Sequence, residues 1–240
     1  MIRKLTLALL LTLPTMAVAI DLEGYFVTAK GGVSKTLNTG EMSFINSTSQ
    51  LIVIENEDLG TGSAFGFSVG KYLNDNFRLE LEAIKRNGYE YDAFGKEPIV
   101  FRSVSHKAKI QTEALFINGF YDFQPVTMSN TAIIPYLGVG VGISRNKMGT
   151  IVQYQGAPDG ITADGNTIKQ FAYKLSAGTL VSLTEQLSLD VNYQYVNLGA
   201  FKGGTVFSRN GVFSSNFQRG LNGGEIKTQE LMVGLQYTFK

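Results

Sequence analysis

The chain has 240 residues, 44% hydrophobic and 17% charged, with 27 Gly, 5 Pro, no Cys, no Trp and one His. The low charged fraction excludes a disordered chain, the missing cysteines exclude zinc fingers and disulfide frameworks, and a single imidazole excludes any metal site that needs two. With 21 basic and 20 acidic residues, no global field marks a nucleic-acid binder, and no cofactor, metal or nucleic-acid partner is expected.

The chain begins with Arg3 and Lys4, an apolar run over residues 5–13, and Ala17-Val18-Ala19. Charged, apolar and small-residue regions in this order predict a secretory signal peptide over 1–19, cleaved to leave one domain over 20–240. Because no later segment reaches 18 uninterrupted apolar residues, the exported protein is expected in the periplasm, in the medium, or in an outer membrane crossed by β-strands.

From there the hydrophobic period is two. The first predicted strand, 25–34, alternates Tyr25, Val27, Ala29 and Val33 with Thr28, Lys30 and Ser34; the second, 64–72, carries Phe65, Phe67 and Val69 on one face. In 77–86, Phe77, Leu79, Leu81 and Ala83 oppose Arg78, Glu80, Glu82 and Arg86. The fourth, 107–123, is irregular, because Lys109, Gln111 and Glu113 share a parity with Leu115, Ile117 and Tyr121. Either a bulge shifts its phase or its upper part stands outside the bilayer. Strand 136–145 sets Leu137, Val139, Val141 and Ile143 against Gly138, Gly140, Gly142 and Ser144, and 171–183 sets Tyr173, Leu175 and Val181 against Lys174, Ser176 and Gly178. The last two, 187–195 and 230–239, carry Asp190 and Glu230 on their polar faces.

Connections alternate in length. Asn74-Asp75-Asn76, Thr184-Glu185-Gln186 and 124–130 are short, whereas 35–62, 87–106, 146–170 and 198–224 read as long loops rich in turn residues, with Asn210-Gly211 and Asn222-Gly223-Gly224 as flexible turns in the last. Eight strands with short links at one end and long links at the other predict an all-β, eight-stranded antiparallel up-and-down transmembrane barrel with four long surface loops. Rings should then mark the interfaces: Tyr25, Phe26, Tyr72, Phe77, Tyr121, Phe123, Tyr136, Tyr237 and Phe239 on the short-turn side, and Phe171, Tyr173, Tyr193 and Tyr195 on the loop side. The rival fold is a soluble lipocalin-like cup. It suits the pattern less well, because a polar face full of glycine fits a crowded lumen better than a solvent surface.

Inside such a barrel the charges balance: Lys30, Arg78, Arg86 and Lys174 against Glu80, Glu82, Asp190 and Glu230. An unpaired charge there costs several kcal/mol, so a paired network closing the lumen is expected, with an ion or proton path as the other reading. At the loop side Lys35, Lys85, Lys107, Lys109, Arg145, Lys147, Lys169 and Lys202 form a basic rim, with acids such as Glu55, Glu57 and Asp58 farther along the chain. At the height of lipid phosphates, Lys85, Arg145, Lys147 and Lys169 are candidate lipopolysaccharide contacts.

The chain resembles the opacity-protein and related surface-antigen family of small Gram-negative outer-membrane barrels. The likeness rests on Ala29-Lys30-Gly31-Gly32-Val33, Asn74-Asp75-Asn76-Phe77-Arg78-Leu79-Glu80, Asn118-Gly119-Phe120-Tyr121-Asp122-Phe123, the run from Pro135 to Gly142, Tyr193-Gln194-Tyr195 with Leu198-Gly199, and the run from Leu231 to Phe239. It covers the strands and none of the loops. The resemblance implies insertion by the barrel-assembly machinery through a terminal aromatic signal, here Tyr237 and Phe239, although Lys240 follows. It also implies a bacterial outer-membrane surface protein, an adhesin, surface antigen or structural protein whose loops meet host surface molecules. A small-solute or ion pore is the alternative. A lipid A-modifying enzyme is the third reading, since His106 has only Ser103 and Ser105 beside it and no catalytic motif matches. Gly138-x-Gly140-x-Gly142 lacks the dinucleotide fingerprint, Asp159-Gly160 and Asp164-Gly165-Asn166 fit turns better than calcium, and Asn46-Ser47-Thr48 is a sequon without context.

Overall fold

The computed structural model describes residues 22–40, 42–45, 49, 51–54, 58–96, 103–128, 131–154, 158–216 and 219–240. The expected leader 1–19, the sequon at 46–48, and Glu55 and Glu57 lie outside them. Eight long strands dominate: β1 (Tyr25–Thr36), β2 (Thr61–Tyr72), β3 (Phe77–Lys96), β4 (Ser103–Asp122), β5 (Thr131–Met148), β6 (Asn166–Ser182), β7 (Leu187–Lys202) and β8 (Arg219–Thr238). Each pairs antiparallel with the next, and β8 returns to β1 with Leu231 opposite Val33, closing the barrel. Among the described residues no helix is long and apolar enough to cross a membrane; here the strands cross it.

The two tight turns share one device. The Asn74 side-chain oxygen accepts from the amides of Asn76 (3.0 Å) and Phe77 (2.9 Å), and the Thr184 hydroxyl accepts from those of Gln186 (3.3 Å) and Leu187 (3.0 Å). Such side-chain caps satisfy the amides of a short reversal and fix the strand register. The third link contains a short hairpin, Val126–Met128 pairing with Thr131 to Ile133.

Alternation sends Phe65, Phe67, Leu79, Leu81, Leu115, Ile117, Val139, Ile143, Leu175, Val233 and Leu235 outward, exposed to what would be lipid. Glycine fills part of the inward face for want of room. A Cβ at Gly138 would lie 2.5 Å from the Phe120 ring, and one at Gly178 would lie 2.6 Å from the Tyr136 hydroxyl. The fourth strand settles its own ambiguity. Its pairing with β5 runs from Ile110 to Asp122 without a shift, so Lys107, Lys109, Gln111 and Glu113 stand on the same outer face as Leu115 and Ile117, above the apolar band. The bulge lies instead on β3, between Arg86 and Tyr89, where Gly88 takes a φ of 95° that a side chain would strain.

The segments expected as long loops are largely strand. β3, β4 and β8 each run 20 residues, roughly 65 Å of chain or about 45 Å of height at a 45° tilt, against an apolar band of roughly 25 Å. Asn222-Gly223-Gly224 is strand, and Asn210-Gly211 is a tight two-residue turn with φ of 50° and 77°. Three hairpins rise beyond the barrel: Met42–Ile45 with Leu51–Ile54, Ile151–Tyr154 with Pro158–Ala163, and Val206–Arg209 with Val212–Asn216. Inside this upper part the lining is apolar, with Met42, Leu59, Tyr89, Tyr91, Ile110, Met148, Phe201, Leu221 and Ile226 in one buried cluster.

Candidate functional site

The described lumen is filled from floor to border in three polar tiers. At the floor, β3 delivers Arg78 beside Asp122 of β4, with Nε 3.1 Å from the carboxylate and Nη1 donating to Gln236 at 3.2 Å. Its guanidinium lies 4.2 Å from the Phe120 ring centroid, 4.5 Å from Tyr136 and 5.7 Å from Phe26. These are cation–π distances, which favour the charged guanidinium at this depth. The Tyr136 hydroxyl donates to Asp190 at 2.6 Å, and Asn192 donates to the same carboxylate at 3.2 Å.

In the middle tier Lys30 of β1 lies 2.8 Å from Glu82 and 3.4 Å from Glu80, and Lys174 of β6 also pairs with Glu82. Asn118 donates to Glu80 (2.8 Å) and Glu82 (3.1 Å), and Ser68 donates to Glu80 (2.8 Å). The third tier converges on Glu230 of β8, which accepts from Arg86 Nη2 (3.0 Å), Ser34 (2.6 Å), Thr228 (2.8 Å) and Gln194 (2.5 Å). All eight expected charges are buried here.

The even balance read from sequence is short by one acid. Asp122, not a member of that set, is the partner of Arg78, while Asp190 is held by the Tyr136 and Asn192 hydrogen bonds. Strand parity carried the signal, since Asp122 continues the inward series of Asn118 and Phe120 once the phase of β4 is fixed. The aromatic girdle also needs correction. Phe26 and Tyr136 are buried in the lumen, and Tyr72 turns inward to accept from Gln236 at 2.9 Å. Phe77, Tyr121 and Phe123 remain outside as an edge-to-face series with centroids 5.1 Å apart, as do Tyr237 and Phe239, also at 5.1 Å. Lys240 reaches Glu185 at 2.6 Å.

Every residue of the expected basic rim is exposed. The rim is not purely basic, because Glu113 stands within it, 3.4 Å from Lys85 and 3.2 Å from Arg145. Higher up, Lys107 lies 2.7 Å from Asp92, and this hydrogen bond raises its ammonium above its ordinary value. His106 lines a small, mainly apolar cavity of about 50 Å³ with Tyr91, Ile151, Gln153, Phe207 and Leu221. The Asp164 carboxylate accepts from the amide of Val206 (2.7 Å), a contact between distant segments, and the described residues hold no cluster of three potential metal ligands.

A closed barrel, apolar outside and ionic within, defines the class: an outer-membrane β-barrel. The profile of the outer membrane protein beta-barrel domain matches residues 5–239, and the chain belongs to that family of small outer-membrane barrels. It is 30% identical to outer membrane protein PagN of Salmonella typhimurium over 76% of this chain and 78% of that protein. It is 28% identical to a putative adhesin of Rickettsia bellii over 58% of this chain and 60% of the relative. Among solved structures, Neisserial surface protein A covers 90% of the chain at 17% identity and TM-score 0.53, and 98% of that structure is matched. The outer membrane protein OprG of Pseudomonas aeruginosa also covers 90% of the chain, at 13% identity and TM-score 0.54, with 96% of its own length matched. These two likenesses establish the fold. The protein is therefore an outer-membrane surface protein, and its relatives are membrane proteins and adhesin-like proteins.

Proposed function

We propose that the protein is a non-catalytic adhesin, exported by its 1–19 leader and inserted by the barrel-assembly machinery through Tyr237 and Phe239, which presents a rigid platform to host surface molecules. The observation that carries this reading is the upper barrel. The long links are strands folded over an apolar core, and the hairpins above them keep apolar residues in water: Leu51 is 59% exposed, Val212 69% and Phe213 62%. Apolar tips held in water on an ordered support mark a contact surface for a partner. The relatives described as adhesins support the same use. The tiers of paired charge obstruct the lumen and so favour this reading over the pore.

The test is adherence of cells displaying V212D/F213D, or a chain whose 206–216 hairpin is replaced by a short turn, with the heat-dependent gel shift as the control for folding. Adherence to epithelial cells is expected to drop several-fold in both. Full adherence by both folded variants would remove adhesion through this hairpin.

A further inference from the structure

The border between the apolar band and water is uneven around the barrel. The first polar residue on the outward parity of each strand, in order from β1 to β8, is Lys35, Ser63, Lys85, Glu113, Arg145, Lys169, Asn197 and Gln229. Three of the four cations fall on β3, β5 and β6, and Lys147 stands one outward position above Arg145. A border needing only polar groups to meet water would scatter its cations. Instead, Arg145 is cross-strand neighbour to both Glu113 and Lys169, and Glu113 is neighbour to Lys85. One carboxylate serves Lys85 and Arg145, while Lys169 and Lys147 form no ion pair among the described residues.

Directly beneath runs an apolar row: Phe67, Ala83, Leu115, Ile143 and Phe171, each the cross-strand neighbour of the next. Ala83 is the small member, so the outer wall is notched between Phe67 and Leu115 and forms an open depression bounded above by Lys85, Glu113, Arg145 and Lys169. An apolar notch facing the hydrocarbon, capped by an excess of cations at headgroup height, is complementary to one kind of molecule: an acylated lipid bearing phosphate.

We infer that this face is a binding site for the phosphorylated lipid A portion of lipopolysaccharide, with an acyl chain in the notch over Ala83 and a phosphate held by Arg145, Lys147 and Lys169. Arg presents a planar fork to phosphate oxygens and Lys a point charge, and each well-placed cation strengthens retention. Glu113 opposes the ligand and sets an upper limit on affinity. The site does not depend on the adhesin reading.

The experiment measures lipid retained by the full-length folded protein in detergent, using diphosphorylated lipid A and its dephosphorylated form as probes. R145Q/K147Q/K169Q is expected to retain about tenfold less diphosphorylated lipid, the control K35Q/K202Q/K227Q from the opposite side to match wild type, and the dephosphorylated lipid to bind poorly to all. Wild-type retention by the first variant, an equal loss in the control, or equal binding of the two probes by wild type would each overturn the site. If the triple variant does not fold, E113Q decides: retention rising several-fold supports the site, and unchanged retention rejects it.

Discussion

On β4, Leu115 and Ile117 face lipid, whereas Gln111, Lys109 and Lys107 on the same strand face project into water; inward, Asn118 and Asp122 sit among charges and Ile110 and Ala108 in an apolar core. The barrel below the border and the barrel above it are thus opposite in polarity, although the strands that build them are continuous. Below, lipid wets the outside, so hydrocarbon is favourable there and the enclosed lumen holds compensated charge. Above, water wets the outside, and hydrophobic burial again drives the interior together. The lesson is that strand parity fixes which residues point in, while the solvent outside decides which kind of residue is stable there.

The sharpest break in this comparison is at Glu230. Replacing it with Ala leaves Arg86 charged and buried without its carboxylate, at a cost of about 3–5 kcal/mol. Urea unfolding from lipid vesicles checks this, and a loss below about 1 kcal/mol would show that water reaches Arg86 and that the tiers are not closed. Next in size is a matched pair on β4, two outward positions that differ only in their height. Ile117→Lys is expected to cost about 2–4 kcal/mol, because a Lys side chain must leave water near the middle of the bilayer, whereas Lys109→Ile changes stability by no more than about 0.5 kcal/mol. Equal costs at the two positions would move the border and remove the contrast.

The legible and illegible parts of the sequence follow the same division. Leu137 to Ile143 read as a lipid-facing strand because glycine sits at each intervening position and nothing else competes with period two. The charges Lys30, Glu82, Arg86 and Glu230 were visible because a charge opposite a lipid-facing residue has only the lumen to enter. The upper core was not visible. Tyr89, Tyr91, Phe201 and Leu221 lie among Asn and Gly, and the bulge at Gly88 together with register shifts in β7 and β8 breaks the alternation needed to recognise strand. Phe26 and Tyr136 were misplaced for another reason. Aromatic rings near strand ends suit an interfacial girdle, and only the inward parity of these two sends them to the Arg78 guanidinium.

The smallest expected effect tests whether the upper exterior behaves as an ordinary water-facing surface. Glu225 lies 2.9 Å from Lys227 and accepts from Asn197 at 3.1 Å, and these hydrogen bonds, Lys227 first, hold its carboxyl below the usual range. A carboxyl whose folded value is depressed adds stability above its unfolded value, near 4.3 for Glu, and that stability disappears as the pH falls through the lower, folded value. Both side chains of the pair are more than one-third exposed, so solvent screens the interaction and its worth is at most about 0.5 kcal/mol. Glu225→Gln is therefore expected to lower stability by no more than that at neutral pH, to match wild type once the pH is well below the carboxylate range, and to lose its difference in high salt. A loss approaching that of Glu230→Ala, insensitive to salt, would mean that Glu225 is shielded from water and that the upper barrel is enclosed more like the lower one than its exposed lysines indicate.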